Sequence, residues 1–467
     1  MNLGTVLAGQ RLRVAFALAT LLFGAVLVGG YATAESDATL ARSESAAGVE
    51  SGAGTSDPVV PPRDNITVVG TDSTAFITDD GDGPRKRAEL VAFASNGSVY
   101  YRNESHTRYW DVDPVDGTNA TVEYVYADHL SPADCNSDSV CTRNGIERVN
   151  LTTGNVTHIY SRITPGKHST RWHDADRIGE DRLLVADIAQ DRAFVVNTTT
   201  EQITWSWDAQ TDFDTSSGGP YPEDWTHIND VEYVELEGRE TVMVSVRNHD
   251  QVVFVDMETG LRENWTLGSD GDHDTLYEQH NPDFIPAERG GPAVLVADSE
   301  NGRVVEYQRA NGSWKQSWEW RDQRLTWPRD ADRLPSGHTL ITDSNGDRVL
   351  EIDRNGSVVW SSTIGFPYES ERLGTGDESA GGRSAAALGL PDRTPTAENR
   401  SVVGDATTLL PKSVVNSVAY LLPGWVGPVE ALAAVGLLGV LVLWAVVEWR
   451  RRSFEVHLRW PVQIRNR

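Results

Sequence analysis

Between residues 65 and 362 short apolar runs alternate with polar turns, and the alternation recurs at a nearly fixed interval. Four segments open alike: His173-Asp174-Ala175-Asp176, His227-Ile228-Asn229-Asp230, His280-Asn281-Pro282-Asp283 and Arg329-Asp330-Ala331-Asp332. Their starts lie 54, 53 and 49 residues apart. Each leads to an apolar run such as Leu183-Leu184-Val185-Ala186 or Val294-Leu295-Val296-Ala297. A polar turn follows, then a second run such as Arg303-Val304-Val305-Glu306. A third run ends in tryptophan: Trp205 and Trp207, Trp265, Trp318 and Trp320, and Trp360. Two weaker units precede these four, one around Leu90 and Val99, the other around Val122 and Asn150. Four short strands in a unit of about 50 residues is the pattern of propeller blades. The predicted fold is therefore all-β, a six-bladed β-propeller over residues 65–362.

The two ends of the chain read differently. Val14 to Tyr31 is almost wholly apolar, follows Arg11 and Arg13, and ends in Ala32-Thr33-Ala34, a small-residue pattern of the kind cut by signal peptidase. Residues 1–34 are thus either a signal peptide or an uncleaved signal anchor. Ala431 to Val447 is apolar and is followed by Arg450, Arg451 and Arg452. This predicts a transmembrane helix over 429–449 with a basic cytoplasmic tail at 450–467. Ser, Ala, Gly and Glu dominate 35–64, which reads as a flexible linker, and 363–428 reads as a second linker with a possible short helix. These segments place the propeller outside a cell membrane, and eleven Asn-x-Ser/Thr sequons agree with export.

Acidic residues outnumber basic ones 68 to 41, for a net charge of -27. Phosphate would be repelled over most of such a surface, which argues against nucleic acid as a partner. The surplus fits a protein living in high salt, where screening removes self-repulsion. The 15 tryptophans exclude a disordered acidic chain. Cys135 and Cys141 lie in a polar segment of an exported domain and are read as a loop disulfide, with two free thiols as the alternative.

The repeat shows which positions break it. His173, His227 and His280 occupy the same opening position in successive blades, so three imidazoles should converge near the propeller axis. Imidazole suits nucleophilic or proton-transfer work near neutral pH. The alternatives are structural histidines that tie neighbouring blades, or a three-histidine metal site. Three blades carry aspartate after the second strand (Asp187, Asp298, Asp343), each with arginine five residues on. In the fourth blade Arg247 takes that slot, a reversal of charge suited to gripping an anion, unless it is merely a tolerated surface arginine. Asn229 should face the same side as His227 if the stretch is extended.

Trp225-Thr226-His227-Ile228-Asn229, Ser245-Val246-Arg247, Gln279-His280 and the run from Asp330 to Leu340 resemble the motifs of the aryl-sulfate sulfotransferase family, over roughly residues 165–360. The resemblance implies a six-bladed propeller that moves a sulfuryl group from an aryl sulfate donor to a phenolic acceptor. It implies a ping-pong mechanism through a sulfohistidine, with no diffusible cofactor and no metal. Carried over by motif, His280 resembles the sulfated histidine. His227, Asn229 and Arg247 resemble the residues that hold the sulfuryl oxygens. His173 resembles a further catalytic histidine, placed to help the leaving phenolate with a proton. The rival reading is a non-catalytic surface propeller that binds a glycan, an anion or a partner protein.

Overall fold

The computed structural model describes residues 3–46, 57–72, 88–166, 170–322, 324–394, 412–422, 426–451, 454–457 and 463–466. It divides into two units, one of residues 41–421 and the other of residues 1–40 with 422–467. The first unit is a propeller of six sheets, each antiparallel. Blade two runs Arg108–Pro114, Thr121–Leu130, Cys141–Asn150 and Asn155–Pro165. Blade three carries Arg177–Ile178, Arg182–Asp187, Arg192–Asn197 and Gln202–Asp208. Blade four starts at Ile228–Leu236, blade five at His280–Ile285 and blade six at Pro328–Arg333.

Blade one closes the ring. Its innermost strand is Pro367–Arg372, paired with Thr67–Thr71, followed by Leu90–Phe93 and Val99–Asn103. The propeller boundary expected at residue 362 therefore moves, and 363–428 is not a plain linker. The sequence hides the strand because Pro-Tyr-Glu-Ser-Glu-Arg lacks the apolar run of a middle strand, although every one of these residues is buried. Residues 57–64 also pack rather than dangle: the Val59 and Val60 amides donate to the Gly97 carbonyl, and Arg63 pairs with Glu351. The rest of the linker expected at 35–64 is helical to Ala46, while 47–56 lies outside the described residues, as do 395–411 and Arg452.

The core is six apolar layers, one between each pair of adjacent blades. Middle strands such as Ala293–Asp298 are buried on both faces, which explains their continuous apolar runs. The tryptophans stitch the layers: Trp205 Nε1 donates to the Met257 carbonyl, Trp320 to Gly356 and Trp360 to Pro61, each reaching the next blade. Cys135 and Cys141 are disulfide-bonded.

The innermost strands alternate differently. One ring of carboxylates comes from Asp111, Asp174, Asp230, Asp330 and Glu369, with Asn281 in blade five's place, and a second from Asp113, Asp176, Glu232, Asp283, Asp332 and Glu371. Asp377 and Glu378 join them from the segment after blade one. Several reach across to the next blade: Asp111 accepts from the Ala175 amide, Asp174 from Val231, Asp330 from Ser370 and Glu369 from Val112. A large part of the acidic surplus thus lies inside the propeller, where it cannot hydrate the surface.

In the second unit, Gln10–Ala32 and Val429–Arg451 are each long and apolar enough to cross a membrane. Arg13 Nε donates to Glu448 Oε1 at 2.6 Å, and Phe16 stacks on Trp444 at 5.8 Å between ring centres.

Candidate active site

A cavity of about 490 Å³ opens at the propeller axis and is lined by His173, His227 and His280. The expected convergence of imidazoles is present: the His173 and His227 ring centres lie 5.3 Å apart. Tyr368 joins the group, 5.3 Å from His173 and 6.3 Å from His280 between ring centres.

The three histidines do not share one register. Arg329 and Tyr368 stand two residues after positive-φ residues (Trp327 φ 64, Phe366 φ 50), and so does His280 after Glu278 (φ 44). In blade four the positive-φ residue is His227 itself (φ 47), and the ladder bulges between Ile228 and Asp230. Asn229, not His227, therefore matches the register of His173, His280 and Arg329. His227 reaches the cavity from the loop above the strand. Asn229 is fully buried, does not line the cavity, and donates Nδ2 to the Gln279 carbonyl at 2.9 Å. It holds the residue before His280 instead of facing the cavity beside His227, because the stretch is bulged, not extended.

Arg247 is likewise displaced from the slot the repeat suggested. Val246 faces Gln251 where Asp187, Asp298 and Asp343 face Arg192, Arg303 and Arg348. Those three pairs are ion pairs that close the strand ends. Arg247 stands one residue further on, in a 3-10 turn, and its guanidinium pairs with Glu278 in the cavity wall.

His280 is tightly specified. Its Nδ1 lies 2.8 Å from Ser299 Oγ and 3.2 Å from the Glu278 carbonyl. Ser299 donates its own proton to the Pro328 carbonyl at 2.6 Å, so its oxygen accepts from His280. Both contacts require the proton on Nδ1, which leaves the lone pair on Nε2. Burial, then Arg329 and Arg247, hold the His280 pKa well below the usual imidazole value. The ring is therefore neutral, with a fixed tautomer and an Nε2 lone pair. His173 is also held neutral, by burial and then by Arg171, and its Nδ1 meets the Tyr368 hydroxyl at 3.0 Å. A neutral His173 has no imidazolium proton to give. His227 Nδ1 pairs with Asp224 at 2.7 Å, while burial and Arg247 lower its pKa.

Three guanidiniums line the same cavity: Arg171, Arg247 and Arg329. In each, Nε is buried and without a hydrogen-bond partner. Arg171 lies over Trp110 at 5.3 Å, and Arg329 over Trp327 at 4.5 Å and Tyr368 at 4.6 Å. Sequence reasoning passed over Arg171, Arg329 and Tyr368. The signal for Arg329 was in the repeat, since it opens the fourth segment where histidine opens the others. Glu300 also lines the cavity, its pKa pushed up to about 7 chiefly by burial. A helix over Lys412–Leu421 contributes Ser413, Asn416, Ser417 and Tyr420 to the wall. Asn416 Nδ2 donates to Glu300 Oε2 at 2.9 Å, and Tyr420 meets Trp327 edge-on at 5.6 Å.

The arrangement offers a neutral nitrogen nucleophile beneath unsatisfied cationic donors, which is the chemistry of an anionic electrophile. Among solved structures, a protein of unknown function from Bacteroides caccae is similar at 11% identity and TM-score 0.44, over 66% of this chain and 97% of that one. A putative 6-phosphogluconolactonase from Bacteroides fragilis is similar at 10% identity and TM-score 0.43, over 66% and 97%. A periplasmic gluconolactonase from Pseudomonas aeruginosa is similar at 12% identity and TM-score 0.42, over 67% and 99%. No curated protein matches the chain. Residues 174–317, which hold His227, Arg247, His280 and Ser299, match the family described as Arylsulfotransferase (ASST).

Proposed function

We propose that the chain is a sulfotransferase that moves a sulfuryl group from an aryl sulfate to a phenol by a ping-pong mechanism, outside the cytoplasm. The observation that carries this reading is His280, neutral, with its proton fixed on Nδ1 and its Nε2 lone pair free, in a cavity with three unpartnered guanidinium Nε groups. Nε2 attacks sulfur, the N–S bond forms, and the S–O bond to the donor phenol breaks with its electron pair on oxygen. Arg247, Arg329 and Arg171 supply donors to the sulfuryl oxygens, and Nδ1–H gains strength against Ser299 as the ring becomes cationic. Arg247 turns from Glu278 to do so. The departing phenolate takes a proton from Glu300, whose carboxyl is poised near neutrality. In the second half the acceptor phenol returns a proton to Glu300, attacks sulfur, and restores the N–S electron pair to Nε2.

The apolar helices support an anchored domain. Arg13 and Glu448 pair at the basic end of each helix, as two antiparallel spans with that end in the cytoplasm require.

The test is mass spectrometry of the protein exposed to a chromogenic aryl sulfate alone. One sulfuryl group, about 80 mass units, should appear on the His280 peptide and vanish on addition of phenol. His280→Asn should abolish adduct and turnover together. Turnover that persists in His280→Asn refutes the assignment, and binding of aryl sulfate without turnover favours the non-catalytic propeller.

A further inference from the structure

We propose that the acidic channel formed by the innermost-strand residues that follow the histidine register binds a divalent cation of the calcium class, centred on Asp113. Asp113 belongs to two sets of carboxylates whose oxygens lie within 4.8 Å of one another, Asp111–Asp113–Glu369 and Asp113–Asp176–Asp377. Calcium takes six to eight oxygens at about 2.3–2.6 Å, so ligand oxygens on opposite sides of the ion stand about 5 Å apart. Every donor in both sets is oxygen, which suits a hard cation and disfavours copper or zinc.

Proximity of carboxylates alone would not make a site, since hydrogen bonds across blades could satisfy them. Some are so satisfied: the Asp111 and Glu369 oxygens accept from the Ala175 and Val112 amides. The neighbouring amide of Asn281 is not. It donates Nδ2 to Glu369 Oε2 at 3.0 Å, and its Oδ1, buried in the same channel, has no hydrogen-bond partner. A neutral oxygen held beside a carboxylate triad with no N–H or O–H to receive is placed for a cation. Asp230 Oδ1, Asp332 Oδ2, Glu371 Oε2 and Asp377 Oδ1 are orphaned in the same way.

Counter-charge is also missing from the protein itself. Among the described residues, none of the five carboxylates of the two sets lies within ion-pair distance of a lysine, arginine or histidine. Burying that much anionic charge uncompensated would cost far more than a domain's whole stability, so protons or cations must enter.

The test uses the full-length protein, exchanged into metal-free buffer or into calcium, with elemental analysis and thermal unfolding as readouts. We expect at least one calcium per chain, and a melting temperature that rises with calcium and falls with chelator. Magnesium or sodium at matched ionic strength should not reproduce the rise. Asp113→Asn, which removes the carboxylate common to both sets, should lose the bound calcium and the response while remaining folded. If that variant does not fold, Asp377→Asn, on the more exposed set, should lower the stoichiometry or affinity. No bound calcium, a response equal for sodium, or calcium retained in both variants would overturn the proposal, leaving protons and water to neutralise the channel. None of these readouts depends on sulfotransferase activity.

Discussion

At the scale of single residues, the cavity works through groups that fix other groups. Ser299 holds the His280 tautomer by a hydrogen bond of 2.8 Å. Ser299→Ala removes a bond worth about 1–1.5 kcal/mol, so the rate of adduct formation should fall about tenfold with donor affinity little changed. Single-turnover kinetics would show the split. Because the His280 pKa is held low, its nucleophilic form persists as pH drops. The acid limb of kcat/KM for the donor should therefore lie below the ordinary imidazole value of about 6.5. A limb at or above that value would exclude a desolvated neutral nucleophile. Arg247→Lys keeps a charge but loses the planar fork, and should lower kcat by about 10²-fold while changing donor KM less.

At the scale of elements, strands and loops deliver these residues to the axis. The bulge at Asn229 and the left-handed backbone of His227 lift one imidazole out of the strand and into the cavity. In blade two, His106 sits between Asp128 and Glu147, at 3.1 Å from each. Burial alone would lower its pKa, but the two carboxylates outweigh burial and push it up to about 8. A raised histidine pKa stabilises the fold fully below the unfolded value of about 6.5, and this stability is lost as pH rises through about 8. About 2 kcal/mol should disappear across that window in the parent chain and not in His106→Gln, as read by denaturant unfolding at each pH. The helix over Lys412–Leu421 is tied to the cavity through Asn416 and Glu300. Asn416→Ala should loosen it and raise kcat/KM severalfold for bulky acceptors, with small phenols less affected.

At the scale of the whole molecule, the propeller is held as a ring. Pro367–Arg372 from the far end of the domain pairs with Thr67–Thr71 at its beginning. A chain ending at residue 362 leaves blade one without its innermost strand and exposes the apolar layers on either side of it. It should fail to give a cooperative unfolding transition, whereas a chain ending at residue 394 should fold. Circular dichroism during heating would distinguish them.

The amino-acid sequence alone determined the blade repeat, its six-fold count, the apolar helices and the histidines of the cavity. Each is written locally, in a period of polar and apolar residues or in a motif a few residues long. Tertiary structure alone decided the closing strand, since Tyr368 and its neighbours show no apolar run and are buried only because blade one is completed there. It also decided register: a bulge exchanges the places of His227 and Asn229, and one residue separates Arg247 from the slot the repeat suggests. Arg171, Arg329 and Tyr368 come from three different blades and meet only at the axis. The carboxylates were visible as letters in a repeat, and only closure of the ring turns those letters inward, where one blade's charge becomes the next blade's problem. Periodicity fixes which face a residue takes; the distance between faces exists only once the ring is closed.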